Sequence, residues 1–287
     1  MDDHYRVEPL FLEFTSNDYS TDRVKWNPDA ECVEVCRPYD EVSRLTRCPT
    51  RLQWKVFWLI LEHINAWKWN QVYAPEGALS CDNHYWSLVV AKDGRYVNTC
   101  GYEAYPGTSE RGYEDGSPFD LLRTAFEILI TMPGTPEQAT PDATPTEPES
   151  FEFHLWSDAT ETMGVCLRWD RHEQGLQWKP VAFAETAWIQ LTRPSRLNWK
   201  AFLILLQEAK VATWEAEYAS ETTAHTGWAF KASIKGSIIE TSGGDTYPQS
   251  PDGIGYLPGS PFDILLTALD LLIGEEVLQM RPPGEMR

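Results

Sequence analysis

Five residues occur twice in the chain, Gly-Ser-Pro-Phe-Asp at 116–120 and again at 259–263. Each copy precedes an apolar run, 121–130 and 264–273, and follows a Tyr-Pro pair, Tyr105-Pro106 and Tyr247-Pro248. The match extends well beyond the phrase. Adding 145 carries Pro49, Arg51, Leu52, Trp54, Lys55, Phe57, Leu61, Trp69 and Tyr73 onto Pro194, Arg196, Leu197, Trp199, Lys200, Phe202, Leu206, Trp214 and Tyr218. An offset of 142 then aligns Trp86, Gly94, Thr99, Gly101, Tyr105 and Pro106 with Trp228, Gly236, Thr241, Gly243, Tyr247 and Pro248. The offset changes only in expected loops, so the pattern predicts two tandem copies of one module. The period is too long for a solenoid repeat.

Within each copy the hydrophobic period changes in a fixed order. Alternating residues over 9–15, 30–37, 151–156, 164–169 and 187–192 read as strands. Trp54, Phe57, Leu61 and Ile64 fall at helical spacing, with Thr50 as N-cap, and Ser195 opens the matching helix. Asp93-Gly94 between two apolar runs predicts a tight hairpin. The expected fold class is α+β, each module a small antiparallel sheet with two helices packed on one face. The expected boundaries are 1–131 for the first module, 132–150 for a Pro/Thr/Glu-rich linker, 151–275 for the second module and 276–287 for a polar tail. The linker holds five prolines and no large apolar residue after Met132, too little apolar surface to fold.

The sequence Trp, Gly hairpin, Gly-x-x-x-Tyr-Pro and closing helix resembles small bacterial modules of uncharacterised function, some in proteins of the toxin-immunity kind. The residues that carry it are Trp86, Gly94, Gly101, Tyr105 and Pro106, with Trp228, Gly236, Gly243, Tyr247 and Pro248 in the second copy. The resemblance implies the module boundaries and hints at a function of the toxin-immunity kind.

Formal charge is −19, shared by both halves, which argues against binding nucleic acid and for an encounter with a basic protein. No basic and apolar leader opens the sequence and no apolar run is long enough for a membrane span. Five of the six cysteines lie in the first half, so they read as reduced thiols, and the expected location is cytoplasmic. Cys32, Cys36 and Cys48 lack the second ligand pair that zinc would need, and Cys32 and Cys36 would share one strand face as small buried groups. No cofactor is expected.

In the repeated phrase, Ser117 and Ser260 fit an N-cap, the prolines fit the first helical position, and Asp120 and Asp263 fit the third. The residues left as candidates for binding are Arg51 with Lys55 and Arg196 with Lys200, each pair one helical turn apart, and Tyr105 with Tyr247 before proline. No His, Cys or Glu is kept in both copies at matched positions, so the chain reads as a non-catalytic acidic binding protein of immunity type. The alternatives are an enzyme with its active site in only one module, and a DNA mimic.

Overall fold

The computed structural model describes residues 8–17, 23–37, 40–74, 85–108, 112–131, 147–157, 164–172, 175–180, 187–191, 193–218, 226–248, 256–274 and 278. The chain divides into two units, Met1–Pro133 and Gly134–Arg287. The first contains β1 (Phe11–Ser16), β2 (Arg23–Asn27), β3 (Cys32–Arg37), β4 (Asp40–Arg47), α1 (Arg51–His63), β5 (Val72–Tyr73), β6 (Tyr85–Lys92), β7 (Arg95–Tyr102) and α2 (Pro118–Ile130). The second runs through the same order as β8 (Ser150–Ser157), β9 (Val165–Asp170), β10 (Gly175–Pro180), β11 (Ile189–Gln190), α3 (Arg196–Glu208), β12 (Glu217–Tyr218), β13 (Thr226–Ile234), β14 (Ser237–Gly244) and α4 (Pro261–Ile273).

Each unit is α+β, but its sheet is not small. The first has strand order β4-β3-β2-β1-β6-β7-β5 and the second β11-β10-β9-β8-β13-β14-β12. Nor are the sheets wholly antiparallel, since β5 and β12 join β7 and β14 in parallel at one edge. The extra width comes from β2, β4 and β10, each of which holds only two large apolar side chains. In β2 only Val24 and Trp26 are buried.

The helices cover one face of each sheet. Phe14 of β1 lies 6.4 Å from Phe119 and 4.5 Å from Phe126 of α2, while Trp26 of β2 meets Trp54 of α1 edge-on at 5.3 Å. In the second unit Phe151 of β8 and Trp169 of β9 both meet Trp199 of α3, at 6.2 and 4.7 Å. The two helices of a unit run antiparallel and are tied at one end. Gln53 Nε2 donates to the carbonyls of Ile128 and Thr131 at 2.5 and 2.9 Å, and Asn198 Nδ2 donates to Leu271 O at 3.1 Å. Full burial of Trp54, Trp86, Trp199 and Trp228 makes the indoles the centre of both cores.

Two glycines are dictated by these indoles. A Cβ on Gly101 would stand 2.2 Å from Trp86 Nε1 and 2.4 Å from Ala104 O, the pair joined by the hydrogen bond Trp86 Nε1→Ala104 O. Gly243 has the same setting, with Thr246 O and Trp228 Nε1 both at 2.6 Å from such a Cβ. Only a residue without a side chain lets the indole donate to the loop beyond the strand.

Three expectations change. Cys32 and Cys48 form a disulfide, so this pair is not reduced, and the step from thiols to a cytoplasmic location no longer holds. Val33 is opposite Arg47 across β3 and β4, so the next pair outward is Cys32 and Cys48, with Cα atoms 4.2 Å apart. Cys36, Cys100 and Cys166 are free. Second, of the expected linker, residues 132–146 lie outside the described residues, whereas 147–150 belong to the second unit. Trp169 Nε1 donates to Pro148 O at 3.1 Å, Glu149 N donates to Ser233 O at 2.9 Å, and Ser150 begins β8. Third, the expected polar tail includes one core residue: Leu278 is buried and its N–H donates to Asp270 Oδ1 at 2.8 Å. Among the described residues no helix is long and apolar enough to cross a membrane.

Candidate functional site

The repeated phrase is a helix start in both units. Ser117 Oγ accepts from Asp120 N and Ser260 Oγ from Asp263 N. The carboxylates reach back one residue further than a capping box requires: Asp120 Oδ2 accepts from Gly116 N at 2.8 Å and Asp263 Oδ2 from Gly259 N at 2.7 Å. The serine amides are already used, donating to Glu114 O and Leu257 O. Both acids also face the positive end of the helix dipole.

The six candidate binding residues do not converge. Arg51 and Arg196 are exposed at the starts of α1 and α3, with Lys55 and Lys200 half-buried one turn on. The amides at these starts serve their own caps, Gln53 N donating to Thr50 Oγ1 and Asn198 N to Ser195 Oγ. Because α1 begins where α2 ends, Arg51 lies at the end of α2 opposite Asp120. Tyr105 and Tyr247 are core residues, 3% and 7% exposed. Tyr105 packs on Phe119 at 4.6 Å and Tyr247 on Phe262 at 4.7 Å, at the starts of α2 and α4. Burial pushes the Tyr247 phenol up, and its OH is shared with Thr226 Oγ1 at 3.0 Å. These tyrosines hold a loop onto the core rather than face a ligand.

The polar chemistry lies on the faces that the helices leave open. In β8, Phe151, Phe153 and Leu155 point to the core, so Glu152, His154 and Trp156 point outward. Across the sheet Glu152 faces Arg168 on one side and Lys231 on the other, and His154 faces Cys166. Lys179 is opposite Cys166 on the next strand. Trp188, just before β11, is flanked by Arg168 at 4.2 Å and Lys179 at 4.8 Å from its ring centre.

On this face three side chains form a line. His154 Nδ1 lies 3.1 Å from Cys166 Sγ, and His154 Nε2 lies 2.8 Å from Glu152 Oε1. The hydrogen bond to Cys166 and then that to Glu152 raise the His154 pKa to about 9 against the lowering effect of burial. His154 thus stands within hydrogen-bond reach of sulfur through Nδ1 and of carboxylate through Nε2. Beside it, a depression of about 370 Å³ is lined by Ser150, Glu152, Arg168, Asp170, Lys231 and Ser233 among others. The acid of the line is thus also a wall of the cavity. Among the described residues no group of three or more His, Cys, Asp or Glu is placed to hold a metal ion. Here the imidazole stands between sulfur and carboxylate, so the three cannot converge on one ion.

The sequence holds half of the signal for this line. Glu-x-His on an alternating strand puts residues 152 and 154 on one face. The pairing of His154 with Cys166 depends on the register between β8 and β9, which residue types on either strand do not specify.

The open face of the first unit is different. Glu13 accepts from Arg23 Nε at 2.9 Å, and Asn27 Nδ2 donates to Glu34 at 2.7 Å. Phe11 and Tyr96, both opposite Ala91 from either side, are 41% and 61% exposed, and Tyr85 and Tyr102 pair at 5.2 Å. No protein-family model, curated protein or solved structure was found to match the chain.

Proposed function

We propose that the chain is a binding protein made of two copies of one ancestral module, which captures a basic protein partner and inhibits it in the manner of an immunity protein. The observation that carries this reading is the face of each sheet opposite its helices, where exposed aromatic rings are set among charges. Phe11, Tyr96 and Tyr102 stand on the first face and Trp156 on the second. Rings of this kind supply large contact area with little entropy to lose, the usual anchors of protein interfaces. The charge of −19 supports a basic partner by raising the rate of encounter. Common ancestry of the modules is supported by matching element order, the matched caps, and the pairs Gly101/Gly243 and Trp86/Trp228 in the same contacts.

Titration of the full chain with a panel of basic nucleases and toxins, repeated from low to high salt, tests the proposal. The expected result is binding to at least one member that weakens as salt rises, since surface charges are screened beyond about 10 Å at 0.1 M. Tyr96→Ser and Trp156→Ser should weaken the same complex without unfolding the protein. Absence of binding across the panel, or binding indifferent to salt, overturns it.

A further inference from the structure

We propose that Cys166 is a peroxide-reactive thiol, oxidised by small hydroperoxides to a sulfenic acid with His154 as the proton donor and Glu152 as the residue that positions His154. The inference is independent of partner binding and starts from three facts of geometry. Cys166 Sγ and His154 Nδ1 are 3.1 Å apart, within hydrogen-bond reach for sulfur. Glu152 fixes the far nitrogen at 2.8 Å, so the ring cannot rotate away from the sulfur without losing a charged hydrogen bond. Cys166 lies on β9 with its neighbour Leu167 turned into the core, so its sulfur shares the open face with His154. A thiol in such surroundings differs from an ordinary buried cysteine, which is inert in apolar packing.

The alternatives offered by a Cys-His-acid line are less well served. Acyl transfer needs donors aimed at a developing oxyanion. Cys166 sits on β9, which is paired on both sides, to β8 and to β10, so the amides around the sulfur belong to the ladders. Cys166 is also only 4% exposed, which excludes a bulky acyl substrate and leaves only small oxidants as candidates.

The step is balanced as follows. Sulfur, with its proton shared toward His154 Nδ1, attacks the outer oxygen of the hydroperoxide. An S–O bond forms as the O–O bond breaks. The leaving oxygen takes its proton from His154 Nδ1 and departs as water or an alcohol. Sulfur is oxidised by two electrons, the peroxide is reduced by two, and Cys166 ends as Cys–SOH. His154 gives back the proton that it held for sulfur, so the ring is left neutral, still bonded to Glu152.

The test uses the full chain with its disulfide intact, exposed to hydrogen peroxide for a set time and then unfolded in urea containing dimedone, a trap for sulfenic acids that reaches every cysteine once the chain is open. Peptide mass mapping then reads the label on Cys166, Cys36 and Cys100 in one molecule. Proton donation by a positioned acid is worth on the order of 10²-fold, so Cys166 should label faster than the other two by about that factor. Exposure alone would rank it slowest, because Cys36 and Cys100 are less buried. His154→Gln should bring Cys166 down to or below the rate of Cys36, and Glu152→Gln should slow it by less. Cys166 labelling no faster than Cys36 and Cys100 in the unmodified chain overturns the proposal, and needs no variant to fold. An unchanged rate in a folded His154→Gln protein also overturns it.

Discussion

Where the second sheet pairs His154 with Cys166, the first pairs Thr15 with Arg23. Both positions follow from the same ladder, since Phe14 faces Val24 as Phe153 faces Leu167. The acid on the central strand is present in both, Glu13 and Glu152. In the first unit it accepts from a guanidinium, which is charged at any working pH; in the second it accepts from an imidazole, which titrates. A shared framework thus carries a fixed ion pair on one sheet and a titratable line ending in sulfur on the other. The inward faces stay mostly apolar in both units while their residues vary in size, whereas the outward ones differ in chemistry, because packing against helices constrains only the former.

The strongest challenge to this comparison is to the shared framework. Trp86→Ala and Trp228→Ala remove fully buried indoles, and each should destabilise its unit by about 3–5 kcal/mol. Urea melts of the two variants should show losses of similar size; a loss in one alone would mean that the cores are not equivalent. Reduction of Cys32–Cys48, or Cys48→Ser, should then affect the first unit only. The cysteines are 16 residues apart, and a loop of that order is worth about 3 kcal/mol, measurable as a lower denaturation midpoint in dithiothreitol. Gly101→Ala and Gly243→Ala force a Cβ into the indole and its carbonyl, at about 1–3 kcal/mol each. The closer contacts at Gly101 should make its loss the larger, by the same melts.

Smaller effects separate the surfaces. Ser117→Ala and Ser260→Ala each remove an N-cap and should cost about 0.5–2 kcal/mol while leaving partner binding intact. A folded Ser117→Ala protein that no longer binds would show that the phrase has a second role. Finally, the raised His154 pKa makes stability depend on pH. The protonated ring is favoured by the fold, so its contribution is complete below about 6.5, the ordinary histidine value, and is lost as pH rises through about 9. Thermal melts from pH 6 to 10 should fall more steeply for the natural chain than for His154→Gln. Equal slopes would remove the distinction between the titratable and the fixed pair. The ring is over a third exposed, so solvent screening keeps this effect the smallest.

Much of the architecture was legible because it is local. The four helices begin within a residue of their expected caps, since a hydroxyl at N-cap and the proline that follows it in α2 and α4 act on neighbouring amides. The end of α1 was harder to place. Apolar spacing continues to Trp67, yet the helix stops at His63, because Asn65 turns to a positive φ of 52° and a 3-10 turn follows. Trp69 Nε1 then caps Ile64 O at 3.1 Å, as Trp214 Nε1 caps Ala209 O at 2.9 Å. That bond joins residues five apart through a reversal that hydrophobic periodicity does not register. Strands β2, β4 and β10 hold only two large apolar side chains each, too few to mark a strand without its neighbours across the ladder.

What the sequence determined by itself was the repeat, the helix starts and the hairpin at Asp93-Gly94, whose φ values of 50° and 74° follow from which residues tolerate a left-handed backbone. These depend on contacts a few residues apart. Tertiary structure alone decided which side chains meet on the open faces: His154 with Cys166, Arg23 with Glu13, and Cys32 with Cys48. Each pair needs a strand register, and a shift of one residue would turn every outward side chain to the other face. The register is held by what the inner face buries against the helices, so the chemistry of the outer face is set by packing on the side it does not share.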